Sequence, residues 1–208
     1  MISIEEIQKY LPQYLSAPSQ HQLFDELRNF PENIDKRLYS ESLLEKENIF
    51  QGDGIARMLV SNLPSKEFRE MPAIVLSNTC DIDIENKRLF PSRIVYAPIF
   101  LLVKYRNMLI EEFVKTGKNS INSINAHISA IKRQEITQIL YLPQGGRLSD
   151  DSIVFLDRLN NYPADEIEAG FVKYNKLFTL SNYGFYLFII KLSIHFTRIQ
   201  ERVDRMPS

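Results

Sequence analysis

The sequence is poor in the features that mark several large protein classes. Its 208 residues include one cysteine, Cys80, which excludes an internal disulfide and a cysteine-rich zinc site. Lysine and arginine (25) balance aspartate and glutamate (26), so the formal net charge is −1 and no overall positive field attracts nucleic acid. A local basic patch is compatible with that balance, because the distribution of charge matters more than its sum.

Long apolar runs are also missing. The most apolar window, 185–190, ends at Lys191 and is too short to span a bilayer. The N-terminal residues carry acids where a secretory signal would carry positive charge. No zinc-protease, paired-cysteine or nucleotide-loop motif occurs, so the sequence predicts no cofactor and no dedicated metal site. We therefore expect a soluble, cytoplasmic protein that does not contact a membrane.

Helical spacing characterises the beginning of the chain. A capping-box pattern at residues 3–6, followed by apolar residues at helical spacing, predicts a helix over 3–15. A second helix is predicted over 19–29, and Phe30-Pro31 ends it because the residue before a proline resists the helical conformation. We define residues 1–48 as the helical lead-in of a single domain that spans residues 1–208.

After the lead-in the pattern changes to short strands. Residues 55–60 form a strand-like run, and residues 62–70 form a polar loop. The segment 72–76 is nearly all apolar, as expected for a strand that is covered on both faces. A third strand is predicted over 93–97, and we expect Pro98 to lie at an edge or an end, since proline cannot donate to a neighbouring strand.

A helical insertion is predicted over 101–135. Its first helix carries one apolar stripe and ends at Gly117. The second helix is amphipathic, because isoleucines recur at helical spacing on an otherwise polar segment, at positions 121, 124, 128 and 131. This stripe is typical of packing within a helical hairpin, and a groove for a protein partner is the alternative.

The last third of the chain returns to strands and ends in a helix. Strands are predicted over 136–142 and 152–159. A long helix is predicted over 175–205, although the run 185–190 alone is also compatible with a strand. Together these elements define an α+β protein with a small β core.

Several short motifs follow one another in a characteristic order. They are Gly52-Asp53 before a strand, the strand Pro72 to Asn78, the strand Ile94 to Pro98, and the late segment Asp151 to Leu159. This order resembles the MazF/PemK toxins, which are small SH3-like barrels that cut RNA. The resemblance implies a five- to six-stranded SH3-like barrel formed by residues 49–100 and 136–162. The lead-in and the helical insertion have no counterpart in the family.

Two positions depart from the family pattern. The family places an arginine directly before the Pro-Ala strand, where its charge stabilises the developing phosphorane, and this chain has Met71 there. Arg69 is the nearest substitute, and in an extended strand a two-residue shift keeps the same face. The family also has a threonine or serine after the second proline, and here Ile99 cannot donate a hydrogen bond. Without these groups, phosphodiester cleavage loses its electrostatic and acid–base contributions.

The polar cluster from Asn78 to Asp83 is the candidate catalytic tip, because it directly follows a buried strand. Cys80 is a candidate nucleophile, and Asp81 and Asp83 are candidate bases or cation ligands, with Arg69 as the cationic group. The alternative is a turn in which Asn and Asp bond their own backbone and Cys80 is a small buried apolar side chain. A catalytic cysteine needs a base nearby, and the three histidines are all distant in sequence.

Basic and aromatic residues alternate around the predicted strands, a composition that suits single-stranded nucleic acid. The candidate nucleic-acid-binding residues are Lys66, Arg69, Arg88, Arg93 and Arg158. The alternative is a solvated rim of charges, since glutamates at 67, 70 and 85 dilute the patch.

Two functions from different classes are therefore expected. The resemblance implies a toxin or defence-type protein that acts on RNA, and one form of this expectation is an endoribonuclease with a non-standard site. The missing arginine and hydroxyl favour instead a catalytically dead SH3-like barrel that serves as a protein-binding or regulatory module. The partners considered are RNA, a protein such as an antitoxin or regulator, and a second copy of the chain.

Overall fold

The computed structural model describes residues 16–83, 85–86, 89–118, 120–168 and 170–197. In this part of the chain, six α-helices and an eight-stranded antiparallel sheet form an α+β protein. In chain order the elements are α1 (Ala17–Arg28), β1 (Tyr39–Ser40), β2 (Gly54–Ser61), β3 (Phe68–Val75), α2 (Thr79–Ile82), β4 (Arg93–Leu101), α3 (Leu102–Thr116), α4 (Ile121–Lys132), β5 (Ile139–Leu142), β6 (Ser152–Phe155), β7 (Asn160–Pro163), α5 (Phe171–Asn175), β8 (Lys176–Leu180) and α6 (Asn182–Thr197). The helix predicted over 3–15 lies outside the described residues.

The sheet is open. Its strand order is β1-β8-β2-β3-β4-β6-β5, and β7 pairs with β4 beside β6. No pairing between described strands joins the two edges, so the closed SH3-like barrel is not confirmed. The middle of the sheet nevertheless curls, because the Ser61 N–H donates to the Asn160 side chain (2.9 Å) and the Tyr96 hydroxyl donates to the Leu59 carbonyl. These bonds hold the far end of β2 near β7.

Both faces of the curled sheet are covered. The apolar residues of β2, β3 and β4 that point into the curl pack against Ile82, Ala164 and Val172. The opposite face, which includes Phe178 of β8, packs against α6 through a cluster that contains Phe188. A third apolar cluster joins β5 and β6 to α3 and α4. Each fully buried large apolar side chain contributes about 1.5–3 kcal/mol to folding, so the sheet is stabilised mainly by these layers.

The predicted helix over 19–29 corresponds to α1, which packs on α6 as part of a fourth cluster. Ser16 caps α1, since its side chain accepts a hydrogen bond from the Ser19 N–H.

Buried Tyr183 of α6 donates to the Asn33 side chain (2.6 Å), and burial raises the pKa of Tyr183 to about 12. Gly184 allows α6 to approach the backbone of Leu38, because a Cβ at position 184 would lie 2.2 Å from the Leu38 carbonyl oxygen.

The helical insertion is confirmed as the hairpin α3–α4. Gly117 ends α3 in the left-handed conformation (φ 65°), and its N–H donates to the Phe113 carbonyl. Ile124 and Ile131 of α4 are buried, whereas Ile121 is exposed. Most of the isoleucine stripe is therefore explained by packing against α3 and the sheet.

Two predictions about the strands need correction. The loop predicted over 62–70 is shorter, because β3 begins at Phe68. The first residues of β3 are exposed and mostly polar, so their sequence is typical of a loop. Pro98 lies inside β4, opposite Ala73 of β3, and not at an edge or an end. It is tolerated at the point where the other side of β4 changes partner, since the β7 pairing ends at Tyr96 and the β6 pairing begins at Ile99.

The C-terminal helix predicted over 175–205 is also wrong in its first part. Residues 176–180 form β8, which lies between β1 and β2 in the sheet, and α6 begins at Asn182. A buried strand and a buried helix segment are both almost wholly apolar, so periodicity did not separate them. The run 185–190 is helical, and residues 198–205 lie outside the described part of the chain.

A fully buried ion pair fixes the start of β2 to β8. The Lys176 ammonium lies 2.9 Å from the Asp53 carboxylate, and both side chains are 0% exposed. The ammonium also donates to the carbonyls of Leu43 (3.2 Å) and Asn48 (2.9 Å), while the carboxylate accepts the Phe50 N–H (2.9 Å). Burial raises the pKa of Asp53, and the Lys176 ammonium partly opposes that rise. The pair therefore positions the whole loop that precedes β2.

Removing one partner of this pair should be far more damaging than removing both. We expect Asp53→Asn and Lys176→Met each to lower the free energy of unfolding by about 3–5 kcal/mol, because each leaves a buried group uncompensated. The double variant should lose clearly less than the sum of the two. Urea denaturation of all four proteins measures the coupling.

The exposed pair Arg69–Glu67 provides the matched control, since its side chains are 75% and 72% exposed. Arg69→Ala should change the free energy of unfolding by less than about 1 kcal/mol. Additive losses for Asp53→Asn and Lys176→Met would show that the buried groups do not depend on each other.

A second buried lysine holds the edge of the sheet. Lys191 of α6 is 7% exposed and donates to the Gln134 carbonyl (2.6 Å). Gln134 adopts a left-handed backbone conformation (φ 62°) after α4. Its side-chain amide bonds both the N–H and the carbonyl of Tyr141 in β5. Burial lowers the pKa of Lys191 to about 8, from an ordinary value of 10.5.

This lowered pKa makes part of the stability depend on pH. The unfolded chain binds the Lys191 proton more tightly than the folded chain, so the contribution of Lys191 to stability rises as pH increases from about 8 to about 10.5. Between about pH 7 and about pH 9.5 the gain should be about 2 kcal/mol. We expect the stability difference between wild type and Lys191→Met to shift by that amount, as measured by urea denaturation at each pH. Tyrosine titration is common to both proteins and cancels, and a pH-independent difference would contradict the prediction.

Candidate functional site

The tip that follows β3 is a short, capped helix. The Asn78 side chain accepts the Cys80 N–H (2.9 Å) and caps α2, and the Asp83 carboxylate accepts the Glu85 N–H (3.0 Å) where α2 ends. The Thr79 hydroxyl accepts the Gln51 N–H (2.9 Å), which ties the tip to the loop before β2. These bonds match the turn that the sequence offered as the alternative to a catalytic cluster.

The candidate catalytic side chains at the tip all face solvent. Cys80, Asp81 and Asp83 are exposed, whereas Ile82 between them is buried in the core of the curl. Cys80 is therefore not the small buried apolar residue of the alternative interpretation. Within the described part of the chain, no group of three or more His, Cys, Asp or Glu side chains is arranged to hold a metal ion.

Arg69 lies far from the tip. It sits at the outer end of β3 opposite Val60, six residues before Val75, where the strand ends. At about 3.3 Å per residue, six residues of strand span roughly 20 Å. Its guanidinium is bonded to Glu67 (2.9 Å). The structure thus does not bring Arg69 together with Cys80, Asp81 and Asp83, and their catalytic roles stay predictions.

The remaining candidate RNA-binding residues are also dispersed. Lys66 is exposed in the loop between β2 and β3. Arg93 begins β4 and donates to the Asn161 side chain. Arg158 follows β6 and lies over the rings of Phe155 (4.8 Å) and Phe100 (5.7 Å). Arg88 lies outside the described residues.

The tip forms one wall of a cleft of about 450 Å³. The floor of this cleft is apolar and is formed by Ile82, Ile94, Ala164 and Val172. Its other described lining residues are Glu47, Asn48, Ile49, Phe50, Thr79, Asp83, Ile167, Glu168 and Gly170. The cleft therefore joins the tip to the segment between β7 and α5, which the sequence did not single out.

A second cleft, of about 330 Å³, adjoins the first through Ile167 and Glu168. Its other lining residues are Arg57, Met58, Leu59, Glu70, Tyr162, Glu166 and Phe171. Arg57 bonds Glu70 with two parallel hydrogen bonds (2.8 and 2.9 Å), and this contact lowers the pKa of Glu70. We call the two clefts together the 164–172 groove.

The 164–172 groove is apolar at its base and acidic at its rim. Its described lining contains five carboxylates, namely Glu47, Glu70, Asp83, Glu166 and Glu168. Arg57 is the one basic side chain among these lining residues, and Glu70 already binds it. No histidine belongs to the described lining, so the acid–base groups beside the tip are carboxylates such as Asp83. The groove can thus bind apolar and cationic groups, whereas the one basic side chain of its described lining, Arg57, is already bonded to Glu70.

Sequence comparisons add no identification. No protein-family model matches the sequence, and no curated protein matches it. The resemblance to the MazF/PemK toxins therefore stays a prediction that depends on the motifs alone. Within the part of the chain that the structure describes, no helix combines the length and the apolar character that crossing a bilayer requires.

The exposure of Cys80 can be checked directly. Because Cys80 is exposed and is the single cysteine of the chain, we expect one thiol per chain to react with Ellman's reagent in the native protein. The rate should lie within about tenfold of that of the unfolded chain. Cys80→Ser serves as the unreactive control. A thiol that reacts only after denaturation would mean that the tip is buried.

Proposed function

We propose that this chain is a non-catalytic, protein-binding or regulatory module whose 164–172 groove takes a segment of a partner protein. The observation that carries the proposal is the composition of that groove, in which carboxylates line the rim and apolar side chains line the base. An RNA backbone is negatively charged and would be repelled at this rim. A polypeptide segment, in contrast, offers side chains that can fill two adjoining clefts.

The dispersal of the candidate catalytic groups supports the same proposal. Phosphodiester cleavage needs a cation and an acid–base group within hydrogen-bond reach of one phosphate. Arg69 is roughly 20 Å of strand away from the end of β3, and its charge is already bonded to Glu67. The position after Pro98 carries Ile99, whose buried side chain has no hydrogen-bond donor.

In this proposal the family resemblance concerns the arrangement of the strands and not the catalytic activity. We infer that β2, β3, β4 and β7 correspond to an SH3-like barrel that has opened and gained strands at both sides. The Ser61–Asn160 bond and the contact between Tyr96 and Leu59 support this inference, because they draw opposite sides of the curl together. The added helices cover the sheet where the family has no counterpart.

A specific observation favours RNA action as a second candidate. The connection between β2 and β3 exposes apolar and aromatic side chains beside basic ones, with Phe68 65% and Leu63 83% exposed next to Lys66 and Arg69. Exposed aromatic rings next to cations bind single-stranded nucleic acid by stacking. In this candidate the chain is a MazF/PemK-like toxin or defence-type protein, and Phe68 would stack on a base.

Expression in a bacterial host separates the two candidates. We expect wild type, Asp81→Ala and Arg69→Ala to leave growth and transcripts unchanged, because the proposed module does not cut RNA. Purified wild type should not retard single-stranded RNA in a gel at low salt. Growth arrest that both substitutions relieve, accompanied by cleaved transcripts, would overturn the proposal. Retardation that Phe68→Ala abolishes would favour RNA binding instead.

A further inference from the structure

The base of the 164–172 groove is preformed and apolar. Ile82, Ile94, Ala164 and Val172 are each less than one tenth exposed and belong to the core of the curl. Ile49, Ile167 and Phe171 are half-buried and pack against that core. The two clefts, of about 450 and 330 Å³, lie within the size range of sites that take ligands. An apolar side chain entering either cleft would therefore be removed from water on a rigid surface.

The rim of the groove presents negative charge on both sides. Glu166 and Glu168 are exposed on the segment between β7 and α5, while Glu47 and Asp83 are exposed on the loop before β2 and on the tip. None of these four carboxylates forms a salt bridge within the described residues. Their negative potential therefore acts on whatever enters the groove.

We infer that the segment bound in the 164–172 groove is a basic, amphipathic stretch of a partner protein, in which lysine or arginine alternates with apolar side chains. The inference rests on the proposed function and specifies the chemistry of the partner. Apolar side chains of such a segment occupy the two clefts, and its cations face the four rim carboxylates. Complementary charges of this kind accelerate association and exclude partners of the wrong sign.

An acidic peptide or a nucleic acid does not fit the same surface. Each would bring negative charge against the rim, and like charges at an interface cost several kcal/mol. A purely apolar segment would fill the clefts but leave the rim charges without partners. A basic amphipathic segment can both fill the apolar base of the groove and pair with the carboxylates of its rim.

Two synthetic peptides test the inference. One alternates lysine and leucine, the other glutamate and leucine, and each carries one tryptophan. Because the chain contains no tryptophan, the tryptophan fluorescence of the peptide, excited at a wavelength that tyrosine does not absorb, reports binding. We expect the lysine peptide to bind at least about tenfold more tightly than the glutamate peptide at low salt, and its affinity to fall as salt screens the rim.

Matched variants assign the binding to the groove. Glu166→Gln with Glu168→Gln should weaken the lysine peptide about tenfold. The control is Glu111→Gln with Glu112→Gln, which removes the same charge from two exposed positions on α3 and should leave binding unchanged. Ile167→Asp should abolish binding by placing a charge in the groove, and circular dichroism with urea denaturation confirms that each variant is folded.

The outcomes distinguish the inference from the function on which it depends. If the glutamate peptide binds as well as the lysine peptide and Ile167→Asp abolishes both, the partner chemistry is wrong and the binding module stands. If the rim variant and the α3 control behave alike, the rim does not select the partner and the inference is overturned. If neither peptide binds while RNA is retarded, both the inference and the proposed function fail.

Discussion

The buried ion pair between Asp53 and Lys176 is the constraint on which the central sheet depends. Taking two charges out of water costs several kcal/mol each, and only close contact and additional hydrogen bonds offset that cost. Here the ammonium has three acceptors, which are the Asp53 carboxylate and the carbonyls of Leu43 and Asn48. The pair therefore favours the arrangement of β2, β8 and the loop before β2 in which both buried charges have partners.

The same pair determines where the groove lies. Asn48 and Phe50, which are bonded to the two charged groups, are also lining residues of the larger cleft. Gln51, the next residue, bonds the Thr79 hydroxyl and the Leu76 carbonyl, so the loop in turn positions the tip. One wall of the groove is thus fixed to β8 and to the end of β3. The contacts that fix it lie within the chain, so the wall does not depend on a bound partner.

The helix after residue 18, the helical hairpin and, in outline, the strands β2 to β4 could be predicted because their signals are local. Gly117 as a stop and the spaced isoleucines of α4 each act within one or two turns of a helix. β8 could not be predicted, because its sequence is also compatible with a buried helix. The contact that distinguishes the two is the ion pair of Lys176 with Asp53, and Asp53 is distant in sequence. Pro98 was misplaced for a related reason: its strand changes partner on one side, and that change depends on the order of the strands.

The candidate site was predicted only in part. The tip from Asn78 to Asp83 was located correctly after a buried strand, and the asparagine and aspartate bond the backbone as such residues do in turns. Its partner wall, formed by Glu166, Ile167 and Glu168, was missed because nothing in a short acidic segment indicates which cleft it will face. Alternating acidic and apolar residues were the one available signal, and that pattern acquires meaning only when the fold places it opposite the tip.

Gln134 has a consequence for the behaviour of the protein at high concentration. An edge strand with free backbone groups can recruit strands from other molecules and begin aggregation. At β5 the Gln134 side-chain amide occupies the N–H and the carbonyl of Tyr141, where a neighbouring strand would otherwise bond. At the opposite edge β1 is only two residues long, which is too short to guide a second chain. These two edges of the sheet therefore offer few free backbone groups to a second chain.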